Sequence, residues 1–318
     1  MTRLAIVVPC YNEQEVLPDS TQKLTGIIKG LAGEGIIDKD SFILFVDDGS
    51  RDETWKVIDS AVHENDCVQG LKLAGNVGHQ NALLAGLMTV KDEVDAAISI
   101  DADLQDDIGM MRDMVLKFND GCDIVYGVRS TRTTDTFFKR FTAESFYKLM
   151  KVMGAKSVYN HADYRLMSSR ALDSLSQFKE RNLFLRGIVP TIGYKSDCVY
   201  YERKERLAGE SKYPVSKMMA FAFDGITSFS IKPMSFITGM GVFIILCAIV
   251  FAIYTFYRII TGDVVRGWAS TVLSIWFIGG LLLFSIGMVG QYVGKIYIEV
   301  KERPRYIVES RIGKTDKK

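Results

Sequence analysis

The stretch Asp101-Ala102-Asp103-Leu104-Gln105-Asp106-Asp107 follows the short apolar run Ala96-Ala97-Ile98-Ser99-Ile100. The run reads as a buried strand. Carboxylates at the end of such a strand are costly unless something positive shares the site. Asp101 and Asp103 alternate about the small Ala102, so both can face one ligand from an extended backbone. Gln105 adds a neutral oxygen at the next alternate position. Hard oxygen donors at this spacing suit Mg²⁺ or Mn²⁺, bound by few protein carboxylates plus substrate phosphates. The prediction is a metal–diphosphate site made by Asp101, Asp103 and Gln105. An acidic cap on the helix that begins near Asp107 is the plainer alternative. A calcium loop of EF-hand type fails on spacing: counted from Asp101, Asp106 stands where glycine is needed and Arg112 where glutamate is needed.

The elements that must position this stretch alternate along the chain. Leu4 to Pro9 reads as a buried strand, followed by a polar loop at Tyr11-Asn12-Glu13 and a helix to about Ala32. Phe42 to Val46 is a second strand, ending in Asp47-Asp48-Gly49-Ser50. A helix over 54–64, a strand over 68–73, a turn at Gly75-Asn76-Val77-Gly78-His79-Gln80 and a helix over 81–90 lead to the acidic strand. A helix from Asp107 to about Phe118 and a strand over 123–129 complete the pattern. Such alternation predicts a doubly wound α/β domain with a mostly parallel sheet. In such sheets ligands bind outside the carboxyl ends of the strands. Four polar clusters occupy those ends: Pro9 to Glu13, Asp47 to Gly49, Gly75 to Gly78, and Asp101 to Gln105. The donor crevice so predicted lies wholly before Arg129. Neither a G-x-G-x-x-G fingerprint nor a G-x-x-x-x-G-K-[ST] loop occurs. His79 reads as a surface or cap residue, and His63 and His161 have no metal-ligand spacing with it.

Pro9-Cys10-Tyr11-Asn12-Glu13, Asp47-Asp48-Gly49-Ser50 with Asp52 and Thr54, and Asp101 to Asp106 together resemble family 2 glycosyltransferases of the GT-A fold. More narrowly, their order is similar to that of the polyisoprenyl-phosphate glycosyltransferases, which include bactoprenol glucosyltransferases and dolichyl-phosphate mannose synthase. The resemblance implies that Pro9, Tyr11, Asn12, Glu13 and Asp48 hold the nucleotide, with Asp48 near the base. Gly75, Asn76, Asp101 and Ala102 would join them on the nucleotide sugar. Asp101, Asp103 and Gln105 would hold the divalent ion. Asp163-Tyr164-Arg165-Leu166 resembles the family's sugar and acceptor region. Arg206 to Lys212 resembles its mobile loop, in which Gly209 gives freedom to close cations onto phosphate. Asp103 and Arg206 are the catalytic candidates. Arg129, Arg140 and Arg165, whose forked guanidinium donors suit phosphate, and Lys212, a point charge, are the candidates for the acceptor phosphate.

Charge and hydropathy say where the reaction takes place. With 39 Lys+Arg against 38 Asp+Glu, a net charge of +1 points to no polyelectrolyte partner such as nucleic acid. The five cysteines form no C-x-x-C pair and read as reduced cytosolic thiols. Between Lys232 and Arg258 lie 25 residues without a charge, and between Arg266 and Lys295 lie 28. At about 1.5 Å per residue, either run can cross a hydrocarbon core of about 30 Å. The predicted organisation is a catalytic domain over 1–212 and an amphipathic juxtamembrane helix over 213–231. Two transmembrane helices follow over 232–298, then a tail over 299–318 that is mobile after Pro304. Basic residues concentrate on the outer flanks of the two spans. That places a multi-pass protein in the cytoplasmic membrane with its catalytic domain in the cytosol. Aromatics and cations from Phe137 to Met153 suit an anionic membrane surface. Gly279-Gly280, Gly287 and Gly290 admit close helix packing and, with it, a homo-oligomer.

The expected function is inverting transfer of a sugar from a nucleotide sugar to a polyprenyl phosphate. UDP-glucose and UDP-N-acetylglucosamine lead as donors and GDP-mannose follows, a ranking that rests on the resemblance. A processive polysaccharide synthase would be expected to carry a Q-x-x-R-W motif and more membrane helices; the nearest words here are Val265-Arg266-Gly267-Trp268. A non-catalytic nucleotide-binding scaffold would tolerate loss of Asp103 or of the loop cations, and all are present.

Overall fold

The computed structural model describes residues 1–130, 161–202 except 182, scattered positions from 237 to 261, and 267–314. Arg140, Arg206 and Lys212, the basic stretch over 137–153 and the amphipathic stretch over 213–231 lie outside the described residues. By contact the chain divides into two compact units. One comprises Met1–Lys151, Lys156–Tyr213 and Arg303–Lys318; the other comprises Val152–Ala155 and Pro214–Glu302.

The first unit is built on an eight-stranded sheet. Its strands are β1 (Leu4–Cys10), β2 (Phe42–Asp47), β3 (Val68–Leu73), β4 (Ala96–Ser99), β5 (Ile124–Arg129), β6 (His161–Ser168), β7 (Ser196–Tyr201) and β8 (Val308–Ile312). Their spatial order is β7-β5-β6-β4-β1-β2-β3-β8. β1 and β2 are buried along their whole length, as strands covered on both faces must be. The helices α1 (Leu17–Gly33), α2 (Thr54–Glu64), α3 (His79–Val90) and α4 (Met110–Asn119) fill the crossovers. β1, β2, β3 and β4 are mutually parallel, and β7 runs parallel to β5. The α/β sheet predicted from the alternation is present, with both parallel and antiparallel pairs.

Three strands depart from the expectation. β6 inserts antiparallel between β4 and β5. Its charged residues hide it as a strand, because they are buried as partners of one another rather than facing water. β7 forms one edge of the sheet beyond β5. β8 forms the other edge, antiparallel to β3. The tail after Pro304 is therefore not mobile through 312, where it is a strand of the sheet. Arg311 makes a bidentate ion pair with Glu93 at 2.6 and 2.7 Å and also donates to Gln69. Lys72 pairs with Glu309, the amide of Ala74 donates to the Ile307 carbonyl, and the Gln69 amide donates to the Lys314 carbonyl. Cross-strand charge pairs of this kind let a polar pentapeptide hold an edge.

α3 packs closely over β1 and β2 because Gly86 has no side chain. A Cβ there would lie 2.4 Å from Val7 and 2.7 Å from Val46. That approach fixes the start of α3 at the carboxyl ends of the central strands. After Ser169–Ser176 (α5), a one-turn helix over Leu185–Ile188 (α6) sits beside β6, where the Leu185 carbonyl accepts from Arg165.

In the second unit, Trp268–Val300 (α7) is a helix of 33 residues, about 50 Å long. Its Phe277–Val300 part is long and apolar enough to cross a membrane, the one such helix among the described residues. Phe277 and Leu283 are 66% and 72% exposed. The described positions from 237 to 260 are helical as well.

Candidate active site

The loops at the carboxyl ends of β1, β2 and β3 are tied to one another. The Asn12 amide donates to Ser50 Oγ, the Asn12 side-chain oxygen accepts from the Arg51 amide, and the Glu13 amide donates to Thr54 Oγ1. Asp48 closes the third side: its two carboxylate oxygens accept from the amides of Val77 at 2.8 Å and Gly78 at 3.0 Å. Burial pushes the Asp48 carboxyl up, and those two amides oppose the shift. Gly49 has φ +65° and lies so near the next loop that a Cβ would stand 2.6 Å from the Gly75 carbonyl carbon. Hence Asp48-Gly49 is the clasp that holds Gly75 to Gly78. Pro9 sits in β1 and Tyr11 stands 41% exposed at the mouth.

The acidic stretch is braced from behind. Ser20 on α1, almost fully buried, donates to the Ala102 carbonyl at 2.6 Å. Leu104 has φ +43°, an uncommon conformation for a branched residue, and its amide donates to the Asp101 carbonyl. The Gln105 amide nitrogen donates to Asp103 Oδ2 at 2.6 Å, so Gln105 orients Asp103. Arg129 pairs with buried Asp106 at 3.1 Å, and Tyr164 Oη donates to the Asp107 carbonyl. Arg129 thus emerges on the side expected, with its guanidinium engaged by the acidic loop.

His79 is exposed at the first residue of α3, as a surface or cap position, and it also faces this site. Its Nε2 lies 3.5 Å from Asp101 and 3.7 Å from Asp163. Burial alone would lower its pKa, but the nearby Asp163 and Asp101 carboxylates outweigh burial and raise it. Asp163 accepts from Arg165 at 2.8 Å and, in bidentate fashion, from Arg186 at 2.8 and 3.2 Å. Burial would raise the Asp163 carboxyl; His79, Arg186 and Arg165 instead hold it well below the usual range. Arg165 is 1% exposed and committed to Asp163. That pairing leaves its guanidinium enclosed beside Asp163. The crevice also extends past Arg129, through β6 to Arg186. Neither His79 nor Arg186 has a motif spacing that singles it out. The start of α3 brings His79 to the acidic loop, and the antiparallel insertion of β6 brings Asp163, with Arg186 on it, to His79.

Among the described residues no three or more His, Cys, Asp or Glu side chains form a metal site by themselves. The donor set nevertheless fits a divalent ion shared with a diphosphate, which needs only one or two carboxylates from the protein. Burial, with Asp163, Asp106 and Asp103 nearby, pushes the Asp101 carboxyl up while His79 lowers it. A cation between Asp101 and Asp103 would relieve that crowding.

The sequence profile described as Glycosyl transferase family 2 matches residues 5–176. The chain belongs to that family. It is 55% identical over 306 residues to the uncharacterized glycosyltransferase YkoT of Bacillus subtilis (strain 168), covering 96% of this chain and 91% of the relative. It is 38% identical over 311 residues to the bactoprenol glucosyl transferase of Shigella phage SfX, covering 97% and 99%. The mannosyltransferase PcManGT of Pyrobaculum calidifontis, solved with GDP-Man and Mn²⁺, aligns with TM-score 0.48 at 14% identity over 93% of this chain and 85% of that one. This family 2 chain is a glycosyltransferase.

Proposed function

We propose that this glycosyltransferase moves a sugar, with inversion, from a nucleotide sugar to a polyprenyl phosphate at the cytosolic face of the cytoplasmic membrane. The observation that carries the reading is the joining of four strand-end loops around Asp101 and Asp103, in a chain collinear with a bactoprenol glucosyl transferase over nearly its whole length. UDP-glucose and UDP-N-acetylglucosamine are the favoured donors. The nucleotide would lie along Pro9, Tyr11, Asn12, Glu13 and the Asp48–Gly75–Asn76 clasp, with its diphosphate reaching Asp101-Ala102. Mg²⁺ or Mn²⁺, held by Asp101, Asp103 and Gln105, would supply Lewis-acid neutralisation of the leaving diphosphate. Gln105 holds Asp103 in one orientation, and Arg129 with Asp106 holds the loop that carries both carboxylates. Arg206 would close on the phosphates, with Arg140 and Lys212 drawing in the acceptor. The acceptor phosphate is already largely ionised at neutral pH, so alignment and charge stabilisation supply most of the catalysis.

Chain connectivity supports two membrane spans. The chain leaves the first unit before Pro214 and re-enters it at Arg303, with β8 hydrogen-bonded to β3. A sheet made from both flanks must lie on one side of a bilayer, so an even number of crossings is required. The uncharged runs of 25 and 28 residues supply two. Purified protein supplied with radiolabelled nucleotide sugars and a short polyprenyl phosphate should yield a lipid-linked monosaccharide. A polymer, or no product from any donor, defeats the reading.

A further inference from the structure

The geometry points to Arg186 as a phosphate-contacting residue of this site, an inference that rests on the function proposed above. Asp163 is buried, its side chain 7% exposed, and it takes both Nε and Nη2 of Arg186. A bidentate pair with a buried carboxylate fixes a guanidinium plane in advance, so little rotamer freedom is lost when an anion arrives. Arg165 shares the same carboxylate, so two guanidiniums converge on the single Asp163. Arg165 is enclosed, whereas the Arg186 side chain is 38% exposed. Arg186 is therefore the member through which that charge reaches a ligand. The ligand must lie close to Asp101, because His79 spans Asp101 and Asp163. α3 begins at this same His79, with a 12-residue helix behind it and no side-chain cap, which adds its positive end. The Leu185 amide donates to the Gln80 side chain at 2.9 Å, locking the backbone beside Arg186 to the first turn of α3. An acidic loop suited to a cation thus faces a cationic wall suited to phosphate.

Phosphate could come from the donor's diphosphate or from the lipid acceptor. Full-length protein in detergent separates them, using UDP with Mg²⁺ in calorimetry and a short-chain polyprenyl phosphate in steady-state turnover. Arg186→Ala should weaken UDP affinity, or raise the acceptor KM, by tenfold or more. Arg186→Lys, which keeps the charge toward Asp163 but loses the fork, should recover stability fully and that binding only in part. An effect confined to UDP assigns the diphosphate; an effect confined to the lipid assigns the acceptor. Two variants with wild-type affinity for both, in a protein that still makes lipid-linked sugar, overturn the assignment and leave the function standing. Equal loss of both probes together with a lowered melting temperature in both variants means that Arg186 only supports Asp163, and this too overturns it. Wild-type protein that binds neither probe removes the function and the inference together.

Discussion

Two clusters in this molecule use the same chemistry, an arginine forked onto a carboxylate, at opposite places on one sheet. At the sheet edge, Arg311 meets Glu93 one to one, and its Nη2 also donates to a neutral glutamine. Both side chains there are mostly covered, at 16% and 19% exposure. At the strand ends, Asp163 serves two arginines and a histidine, and one of those arginines stands open. The first cluster is balanced and closed, which is what a seam between two strands needs. The second sets two arginines on one carboxylate and opens beside a loop rich in carboxylates. An ion pair alone therefore indicates nothing about function; crowding together with access does.

The largest effect should come from the negative half of that arrangement. Asp103→Asn is expected to lower transfer by about 10²–10³-fold, the range typical of losing one transition-state charge stabiliser, with the melting temperature unchanged. Turnover with radiolabelled donor in Mg²⁺ or Mn²⁺ checks it, and near-normal rates would show the acidic loop to be structural like the edge cluster. The edge cluster should behave oppositely. Arg311→Ala leaves Glu93 partly buried without its fork and should cost about 1–3 kcal/mol of stability. Turnover per folded molecule should stay the same. Thermal unfolding alongside specific activity decides it, and lost activity without lost stability would join the edge to the catalytic machinery.

A third fork, more exposed than either, sets the small end of the scale. Arg170 and Ser168 bond Asp123 at the start of β5. Burial opposes ionisation there, but Arg170 and Ser168 win and lower the Asp123 pKa. With the folded pKa depressed, the unfolded chain binds more protons as pH falls. This stabilisation is therefore complete above about pH 4 and disappears as pH drops through the folded value. Arg170 is 66% exposed, so solvent screening keeps the contribution small. Melting temperatures between pH 6 and pH 3 should fall less steeply for Asp123→Asn than for the wild type. Parallel curves would mean that the pair stabilises nothing.

Much of the site was legible because its parts are consecutive words. Asp101 to Gln105, Asp48-Gly49 and Tyr11-Asn12-Glu13 each end a strand recognisable by an apolar run, and parallel alternation brings strand ends together. α2 and β3 fall where patterning puts them, over Thr54–Glu64 and Val68–Leu73. What escaped was the parallel edge strand β7 and both antiparallel strands. β6 holds Asp163 and Arg165, whose charges cancel only once it lies between β4 and β5. β8, Val-Glu-Ser-Arg-Ile, has its charges matched by Lys72 and Glu93 far away in the chain. His79 and Arg186 have no mutual spacing to read, since the strand that links them was itself hidden.

The β3–β8 seam has a consequence for biosynthesis. Gln69 and Arg311 are 242 residues apart in the chain. At about 5–20 residues per second, translation leaves the β3 edge without its neighbour for roughly 10–50 s. Throughout that time, a bare edge with the sequence Val-Gln-Gly-Leu-Lys-Leu faces the ribosome's surroundings while the intervening segments are being made. Closing the sheet is therefore a late event that reports synthesis through β8. A chain stalled before that step would present chaperones and proteases with an open strand, giving the cell a means to discard unfinished enzyme.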